Sequence, residues 1–418
     1  MDRSAFAALR HRNFRLLWGG QMLSMAGSMM QNAALLWHVA TLVEPERRGL
    51  ALGMVGLVRV LPILVLSLVS GVVADAFDRR RLMLVTQVGM AACALALAAL
   101  EFAGVRLLAP VYALAALSAA FGTFDGPARQ SLVPTLVPRE TLPNAVTLMA
   151  ILFQVAAVAG PALGGVVIAT AGVAWCYLVN ALSFGCVIAA LLAMRDVPEP
   201  AREERAPVSW AAAREGLSFV FRTPIIRSTM LLDFFATFFA SATALLPMVA
   251  TDVLGVGAAG YGLLSAAPSV GALLAGLVMA PLADRIRRRG AVLLWAVALY
   301  GAATVAFGFA RDLGWAFLWL AFTGAADNVS MVLRNVIRQL ATPDRMRGRM
   351  TSVNMIFFMG GPQLGELEAG LVAQWRGVVA SVVSGGVACM LAVGWIAARN
   401  PALRRYRRED AIVPDPGA

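Results

Sequence analysis

Long apolar segments recur along the whole of this chain. We count twelve, each of about 20–29 residues, which is long enough for a helix to cross the hydrocarbon layer of a membrane. Hydrocarbon offers no water to hydrogen-bond the backbone, so a segment of this kind must satisfy its own N–H and C=O groups, as a helix does. The sequence therefore predicts an all-α membrane protein with spans at 13–41, 50–74, 82–103, 108–128, 143–170, 174–194, 224–251, 260–283, 290–310, 314–338, 350–374 and 378–398.

The composition also indicates a lipid environment. The chain is 60% hydrophobic and 14% charged, whereas about a quarter of the residues in soluble domains are charged. The arginines stand between apolar segments and do not alternate with aromatic residues in the stacking pattern of nucleic-acid-binding proteins. We therefore attribute the net charge of +11 to membrane topology and expect no nucleic-acid partner.

The arginines also predict an orientation. An even number of spans places both termini on one side, and 29 of the 35 basic residues lie on that side or at the adjoining helix ends. Positive residues remain in the cytoplasm. The opposite loops contain only Arg47, Arg48, Arg106, Arg311 and Arg376, and the remaining arginine, Arg59, lies inside a span. We therefore expect a multi-pass protein of the bacterial inner membrane with cytoplasmic termini.

Two stretches repeat each other half a chain apart. Asp75 and Asp284 each end an apolar segment, each precedes a group of arginines, and they are separated by 209 residues in a chain of 418. This spacing predicts an internal duplication. The predicted parts are an N-terminal six-helix half (1–195), a cytoplasmic linker (196–223), a C-terminal six-helix half (224–398) and a cytoplasmic tail (399–418).

The repeated stretches are candidate gating elements. We expect Asp75 to cap or neighbour the helix that begins near Arg81, because the N-terminus of a helix favours an anion. We expect the hinge arginines to pair with acids on adjacent helices, and the alternative is that they only set the topology. The candidate gating residues are Gly71, Asp75, Arg79, Arg80, Asp125, Asp284, Arg285 and Asp327.

The spans, the repeated hinge and one further motif resemble the major facilitator superfamily. Span 5 contains Gly160, Pro161, Gly164 and Gly165, which resemble the Gly-Pro-x-x-Gly-Gly signature of its exporters. The hinge departs from the family pattern at Ala76, Asp78 and Ala280. The resemblance implies two six-helix halves, alternating access and export. The glycines permit close helix approach and the proline a kink at the interface, although small-residue packing alone is an alternative.

Three other stretches resemble the bacterial branch that includes the enterobactin exporter and related secretion transporters. They are Leu132–Glu140, Arg347–Asn354 and Gly365–Gly370. The substrate does not follow from this resemblance, because relatives handle dissimilar compounds. Our interpretation of the whole sequence is export of an amphiphilic small molecule, siderophore-like or drug-like, in exchange for protons. Uptake of a nutrient stays an alternative, as does a membrane sensor or scaffold that transports nothing.

Ionisable residues inside spans are costly and mark pathways or ion pairs. Burial disfavours the charged form of a carboxyl group, which can therefore bind a proton on one side and release it on the other. Our proton-coupling candidates are Glu366, Asp233, Glu368 and Arg59. The alternative for Glu366 is a fixed ion pair with Arg59 or Arg334, and Arg59 also lies at a depth that allows pairing with Asp233.

Polar residues of span 1 are candidates for lining a substrate cavity, namely Gln21, Gln31 and Asn32. The sequence contains no phosphate loop, nucleophile motif or zinc signature. We therefore expect no enzyme activity, no cofactor and no metal. The expected partners are a small-molecule substrate, protons and the lipid bilayer, and the expected oligomeric state is a monomer.

Overall fold

The computed structural model describes residues 6–195, 217–240, 242–343 and 346–407. The prediction of an all-α membrane protein is confirmed. Within the described residues, twelve helices have 16 residues or more: α1 Arg12–Leu42, α2 Arg48–Ala76, α3 Arg79–Phe102, α4 Leu108–Leu132, α5 Leu142–Thr170, α6 Val173–Ala193, α7 Pro224–Phe239, α8 Gly257–Leu282, α9 Arg289–Gly308, α10 Leu313–Leu340, α11 Arg347–Arg376 and α12 Val378–Arg399.

Ten of these helices are long and apolar enough to cross a membrane, where α7 is counted together with its continuation to Val253. The continuation consists of a 3₁₀ turn, a short helix and a π turn. The helices outside the set of ten are α1 and α11, which have 31 and 30 residues. Both carry several polar candidate residues. The structure thus confirms a multi-pass membrane protein, and ten of the twelve predicted spans meet the requirements of length and composition.

A polar cap marks the beginning of α3. The Asp78 carboxylate accepts hydrogen bonds from the backbone N–H groups of Arg80 (2.8 Å) and Arg81 (3.2 Å) at the start of α3. The capping role expected of Asp75 therefore belongs to Asp78. Asp75 itself lies in the last turn of α2, which continues to Ala76, because the chain turns three residues later than the motif suggested.

Contacts divide the chain into two compact units. The first unit contains Met1–Pro45, Val58–Arg205 and Val256–Ala266, and the second contains Glu46–Leu57, Ala206–Gly255 and Ala267–Ala418. The beginning of α2 thus packs in the second unit and the beginning of α8 in the first. The predicted division into 1–195, 196–223, 224–398 and 399–418 stays a prediction.

The two units repeat one packing order. In the first, α1 packs on α5 and α6, while α3 packs on α6 and α4. In the second, α7 packs on α11 and α12, while α9 packs on α12 and α10. Counted from α1 and from α7, the contacts are the same. This agreement supports the internal duplication predicted from the repeated hinge.

Glycines bring helix backbones together at equivalent places in both units. A side chain added at Gly165 on α5 would meet the Gly262 Cα at 2.6 Å, and one added at Gly370 on α11 would meet the Gly53 Cα at 2.7 Å. On a different face of α5, a side chain at Gly160 would meet the Ala26 carbonyl oxygen of α1 at 2.6 Å. Neighbouring backbones thus approach closely at Gly160 and Gly165, while the role of the span 5 motif stays a prediction. Helix α5 runs through Pro161 as a single element.

We predict that Gly165→Ala destabilises the first unit, because backbone atoms of α8 occupy the position of the new methyl group. Overpacking of this kind costs about 1–3 kcal/mol. The measurement is thermal unfolding of the purified protein in detergent. The control is Gly122→Ala on α4, where a side chain would meet nothing within 4 Å. Equal melting temperatures for both variants would contradict the prediction.

Candidate functional site

A cluster of buried charged and polar side chains lies in each unit. The first charge cluster consists of Gln21, Thr86, Gln87, Asp125 and Arg129, which come from α1, α3 and α4. The second charge cluster consists of Asp233, Asp327, Arg334 and Arg338, which come from α7 and α10. These two clusters contain several of the candidate functional site residues.

The first charge cluster surrounds one carboxylate with mostly neutral donors. Asp125 is 5% exposed, and its Oδ1 accepts hydrogen bonds from Gln87 Nε2 (2.9 Å) and Thr86 Oγ1 (3.2 Å). Its Oδ2 is 3.9 Å from Arg129 Nη1, which donates to Gln21 Oε1 at 2.9 Å. The charge of Asp125 is therefore balanced by hydrogen bonds and by an arginine one helical turn away.

The second charge cluster contains two arginines and two aspartates. Arg334 Nη2 lies 3.1 Å from Asp233 Oδ1 and 3.2 Å from Asp327 Oδ1, and it bridges the two carboxylates. Arg338 Nη2 lies 3.6 Å from Asp233 Oδ2. The side chains of Asp233, Arg334 and Arg338 are 2–3% exposed, whereas that of Asp327 is 43% exposed. The formal charges cancel, and Asp327 is the member with the most solvent access.

Three nitrogen groups of this cluster have no hydrogen-bond partner among the described residues: Nε and Nη1 of Arg334 and Nη1 of Arg338. Leaving a buried donor without a partner costs about 1–3 kcal/mol. A buried charge is stable only beside an opposite charge. If Asp233 or Asp327 lost its negative charge, the positive charge of an arginine would no longer be balanced.

The clusters occupy corresponding helices. Arginines on α4 and α10 contact partners on α1 and α7, the first helix of each set of six. Arg129 and Arg338 are 209 residues apart, the same separation as Asp75 and Asp284. Sequence reasoning assigned these arginines to topology and overlooked them as site residues. Their repeat at the hinge spacing was the signal that could have identified them.

The hinge arginines have partners other than those expected. Arg79 Nη1 donates to the Ser131 carbonyl oxygen at 2.8 Å, and Arg80 Nη2 donates to the Leu192 carbonyl oxygen at 3.2 Å. Neither of these bonds is to an acid on an adjacent helix, and Asp125, an acid that we considered as a partner, accepts from Thr86 and Gln87 instead.

The other hinge residues are described less fully. Asp75 lies at the end of α2, and Asp284 lies in the 3₁₀ turn Ala283–Arg285 after α8. The side-chain surroundings of Gly71, Asp75 and Asp284 lie outside what the structure describes. Arg285 is exposed.

The proton-coupling candidates are distributed over several contacts. Asp233 pairs with the arginines of α10, whereas Arg59 Nη2 donates to Asn32 Oδ1 at 3.2 Å. The pairing of Arg59 with Asp233 that their depths allow stays a prediction. Glu366 is half-buried beside the start of α2, where a side chain added at Gly56 would meet its Oε2 at 2.9 Å. Glu368 is also half-buried.

The cavity candidates on α1 all contact neighbouring side chains. Gln21 accepts from Arg129, and Gln31 Oε1 accepts from Asn180 Nδ2 of α6 at 2.8 Å. Gln21 and Gln31 are buried, whereas Asn32 is half-buried beside Arg59. Their role in lining a substrate cavity stays a prediction.

Solved transporters share this fold. A bacterial homologue of the iron transporter ferroportin matches with a TM-score of 0.68 at 16% identity, covering 93% of this chain and 99% of that one. A POT family transporter in complex with 5-aminolevulinic acid matches with a TM-score of 0.72 at 11% identity, covering 94% and 96%. Within the described residues, twelve long helices in a repeated packing order therefore form the fold that these transporters share.

The family follows from the sequence. The model of the family described as transmembrane secretion effector matches residues 3–416, and the chain belongs to that family. It is 29% identical over 397 residues to the multidrug efflux pump Tap of Mycolicibacterium fortuitum, covering 91% of this chain and 93% of the pump. It is also 29% identical over 357 residues to the enterobactin exporter EntS of Citrobacter koseri, covering 83% and 82%.

We predict that Asp233→Asn is strongly destabilising, because it leaves Arg334 and Arg338 buried beside a neutral amide. Breaking a buried ion pair from one side costs about 3–5 kcal/mol. Thermal unfolding in detergent provides the measurement, and Arg334→Gln in the same chain should recover part of the loss.

The control is Asp252→Asn, which removes the partner of Arg48 in a more exposed pair at 2.9 Å. A pair of that kind contributes at most about 1 kcal/mol. Equal losses for Asp233→Asn and Asp252→Asn would show that the second charge cluster has no special role in stability.

Proposed function

We propose that this protein is a secondary active transporter that exports an amphiphilic small molecule, siderophore-like or drug-like, across the bacterial inner membrane. The observation that carries the proposal is the family match over residues 3–416. Relatives that match over most of both chains are a multidrug efflux pump and a siderophore exporter. The function is transport without enzymatic catalysis, by a monomer that binds no nucleic acid.

Protons are the proposed driving ion, and Asp233 is the first candidate to carry them. Its carboxylate is buried between two arginines. Protonation would remove its charge and weaken both ion pairs, and Arg334 would then pair with Asp327 alone. A change of this kind links proton binding to the position of α7 relative to α10. Glu366, Glu368 and Arg59 are further candidates, because ionisable groups inside spans mark pathways.

Alternating access is the proposed mechanism, with the hinge residues as its gates. In the first unit, Arg79 and Arg80 tie the start of α3 to backbone carbonyls at the ends of α4 and α6. These bonds support a role for the hinge in holding one state. Asp75 lies in the last turn of α2, and Asp284 lies in the 3₁₀ turn after α8. Both are proposed to act in gating together with Gly71, Arg285, Asp125 and Asp327.

The remaining assignments follow from the same reading. Gln21, Gln31 and Asn32 are proposed to adjoin the substrate path, and Gly160, Pro161, Gly164 and Gly165 are proposed to set the bend of α5. The arginine distribution supports cytoplasmic termini. The six-helix halves 1–195 and 224–398, with the linker 196–223 and the tail 399–418, are the proposed domains.

Transport in inverted membrane vesicles tests the function. We predict that vesicles containing the protein accumulate a fluorescent amphiphilic dye or a catecholate siderophore when a proton gradient is imposed. An uncoupler should abolish accumulation, because the proton gradient supplies the energy. Glu366→Gln and Asp233→Asn should reduce accumulation toward the level of vesicles without the protein.

The matched control is Glu140→Gln, an exposed carboxylate between α4 and α5, which should transport as the wild type does. Accumulation that survives the uncoupler would exclude protons as the driving ion. Movement of both probes in the opposite direction would contradict export.

We predict that Asp75→Ala removes most transport while leaving membrane insertion intact, because the hinge would lose a charge without any change in the apolar spans. The measurements are dye accumulation and the amount of protein in the membrane fraction. Full transport by Asp75→Ala would defeat the gating proposal.

A further inference from the structure

A histidine, a glutamate and a tyrosine meet where three helices of the first unit converge. His38 lies near the end of α1, Glu101 near the end of α3 and Tyr177 near the start of α6. His38 Nε2 is 2.8 Å from Glu101 Oε2, and His38 Nδ1 is 3.0 Å from the Tyr177 hydroxyl oxygen. We refer to these residues as the His38 triad. They belong to neither charge cluster.

Burial distinguishes the members of the triad. His38 is 1% exposed and Tyr177 is fully buried, whereas the Glu101 side chain is 26% exposed. The Glu101 carboxylate therefore contacts the buried imidazole, and part of the Glu101 side chain lies at the surface of the protein. Glu101 is the member of the triad through which a proton would reach the ring.

Two protonation states fit the same geometry. In the neutral ring, Nε2 carries the proton beside Glu101 while the Tyr177 hydroxyl donates to Nδ1. In the imidazolium, Nδ1 donates and the Tyr177 oxygen accepts. Nδ1 keeps its partner in either state, and the charged ring has a carboxylate oxygen 2.8 Å from Nε2. The triad is therefore built to gain and lose one proton.

The surrounding charges are few. Arg106, exposed in the loop after α3, acts electrostatically on His38. Tyr261 from the start of α8 donates to the Ala33 carbonyl oxygen at 2.8 Å, and Cys176 precedes Tyr177 on α6. Helix α5, which also packs on α1, has no ionisable residue along its length. Among the described residues, Glu101 is therefore the carboxylate that contacts the imidazole.

We propose that the His38 triad is a second proton-binding site, which exchanges its proton with the extracellular solution. Its placement at the extracellular helix ends rests on the proposed orientation, and its use in transport rests on the proposed function. An exporter driven by protons must take them up from outside, and the triad lies where they enter. The ligand is the proton itself, held between an imidazole and a carboxylate.

Nuclear magnetic resonance of ring-¹⁵N-histidine tests the site directly, because the chain has 2 histidines. In the His11→Gln variant, the histidine ring signals come from His38 only. We expect these signals to change with a single transition between about pH 5 and 8. In His11→Gln/Glu101→Gln the transition should be lost or displaced by about one pH unit. Glu140→Gln in place of Glu101→Gln is the control and should leave it unchanged.

Ring signals that stay constant over this range, or a transition unaffected by Glu101→Gln, would overturn the site. Size-exclusion chromatography confirms that each variant is folded. Glu101 is partly exposed, so its amide variant is the safer one if a substitution at His38 fails to fold.

Inverted vesicles separate the site from its use in transport, because their lumen faces the extracellular side of the protein. With the total proton-motive force held constant, export should depend on luminal pH in the wild type and lose that dependence in His38→Gln and Glu101→Gln. An unchanged dependence in both variants would overturn the role in transport. If the wild type moves no probe at all, the proposed function fails, while the ring titration still decides the site.

Discussion

The cost of placing charge in a low-dielectric surrounding governs how these helices are arranged. Arg334 lies within a long helix and is 2% exposed, whereas Arg129 lies in the last turn of α4 with 23% of its side chain exposed. A guanidinium that is taken out of water depends on its counter-charges. Each of the two arginines is balanced by carboxylates or amides of its own unit. Helices that share such charges must be neighbours, which holds α1, α3 and α4 together in the first unit and α7 and α10 in the second. Apolar packing and glycine contacts then complete each unit.

Internal duplication supplies one scaffold for two different chemistries. Both units use the same packing order. Each unit also has an arginine at the corresponding place on its fourth helix, and these two arginines, Arg129 and Arg338, are 209 residues apart. Asp125 in the first unit is held largely by neutral donors, whereas Asp233 lies between two arginines. A proton on Asp233 would disturb ion pairs, while Asp125 is tied by hydrogen bonds that do not depend on an arginine. This difference is the physical basis for choosing Asp233 as a coupling residue.

Local signals in the sequence were sufficient for much of the fold. Apolar length predicted the helices, and the glycines of span 5 predicted the close contact of α5 with its neighbours, because a missing side chain has the same effect wherever it faces a helix. Partner choice was harder to predict. Depth along a helix says nothing of rotation about its axis, so the contact of Arg59 with Asn32 and of Asp233 with Arg338 was found only in the structure. The cap at Asp78 in place of Asp75 shows the same limit over three residues.

The sequence by itself determined the all-α class, the multi-pass membrane environment, the internal repeat and the family resemblance, because all of these follow from hydrophobicity, spacing and short motifs read along the chain. Only the tertiary structure decided which charges meet. It joined Asp233 to Arg334 and Arg338, and it brought His38, Glu101 and Tyr177 together from three helices. Contacts between distant segments depend on helix rotation and packing, which lie beyond the periodicity of any one segment.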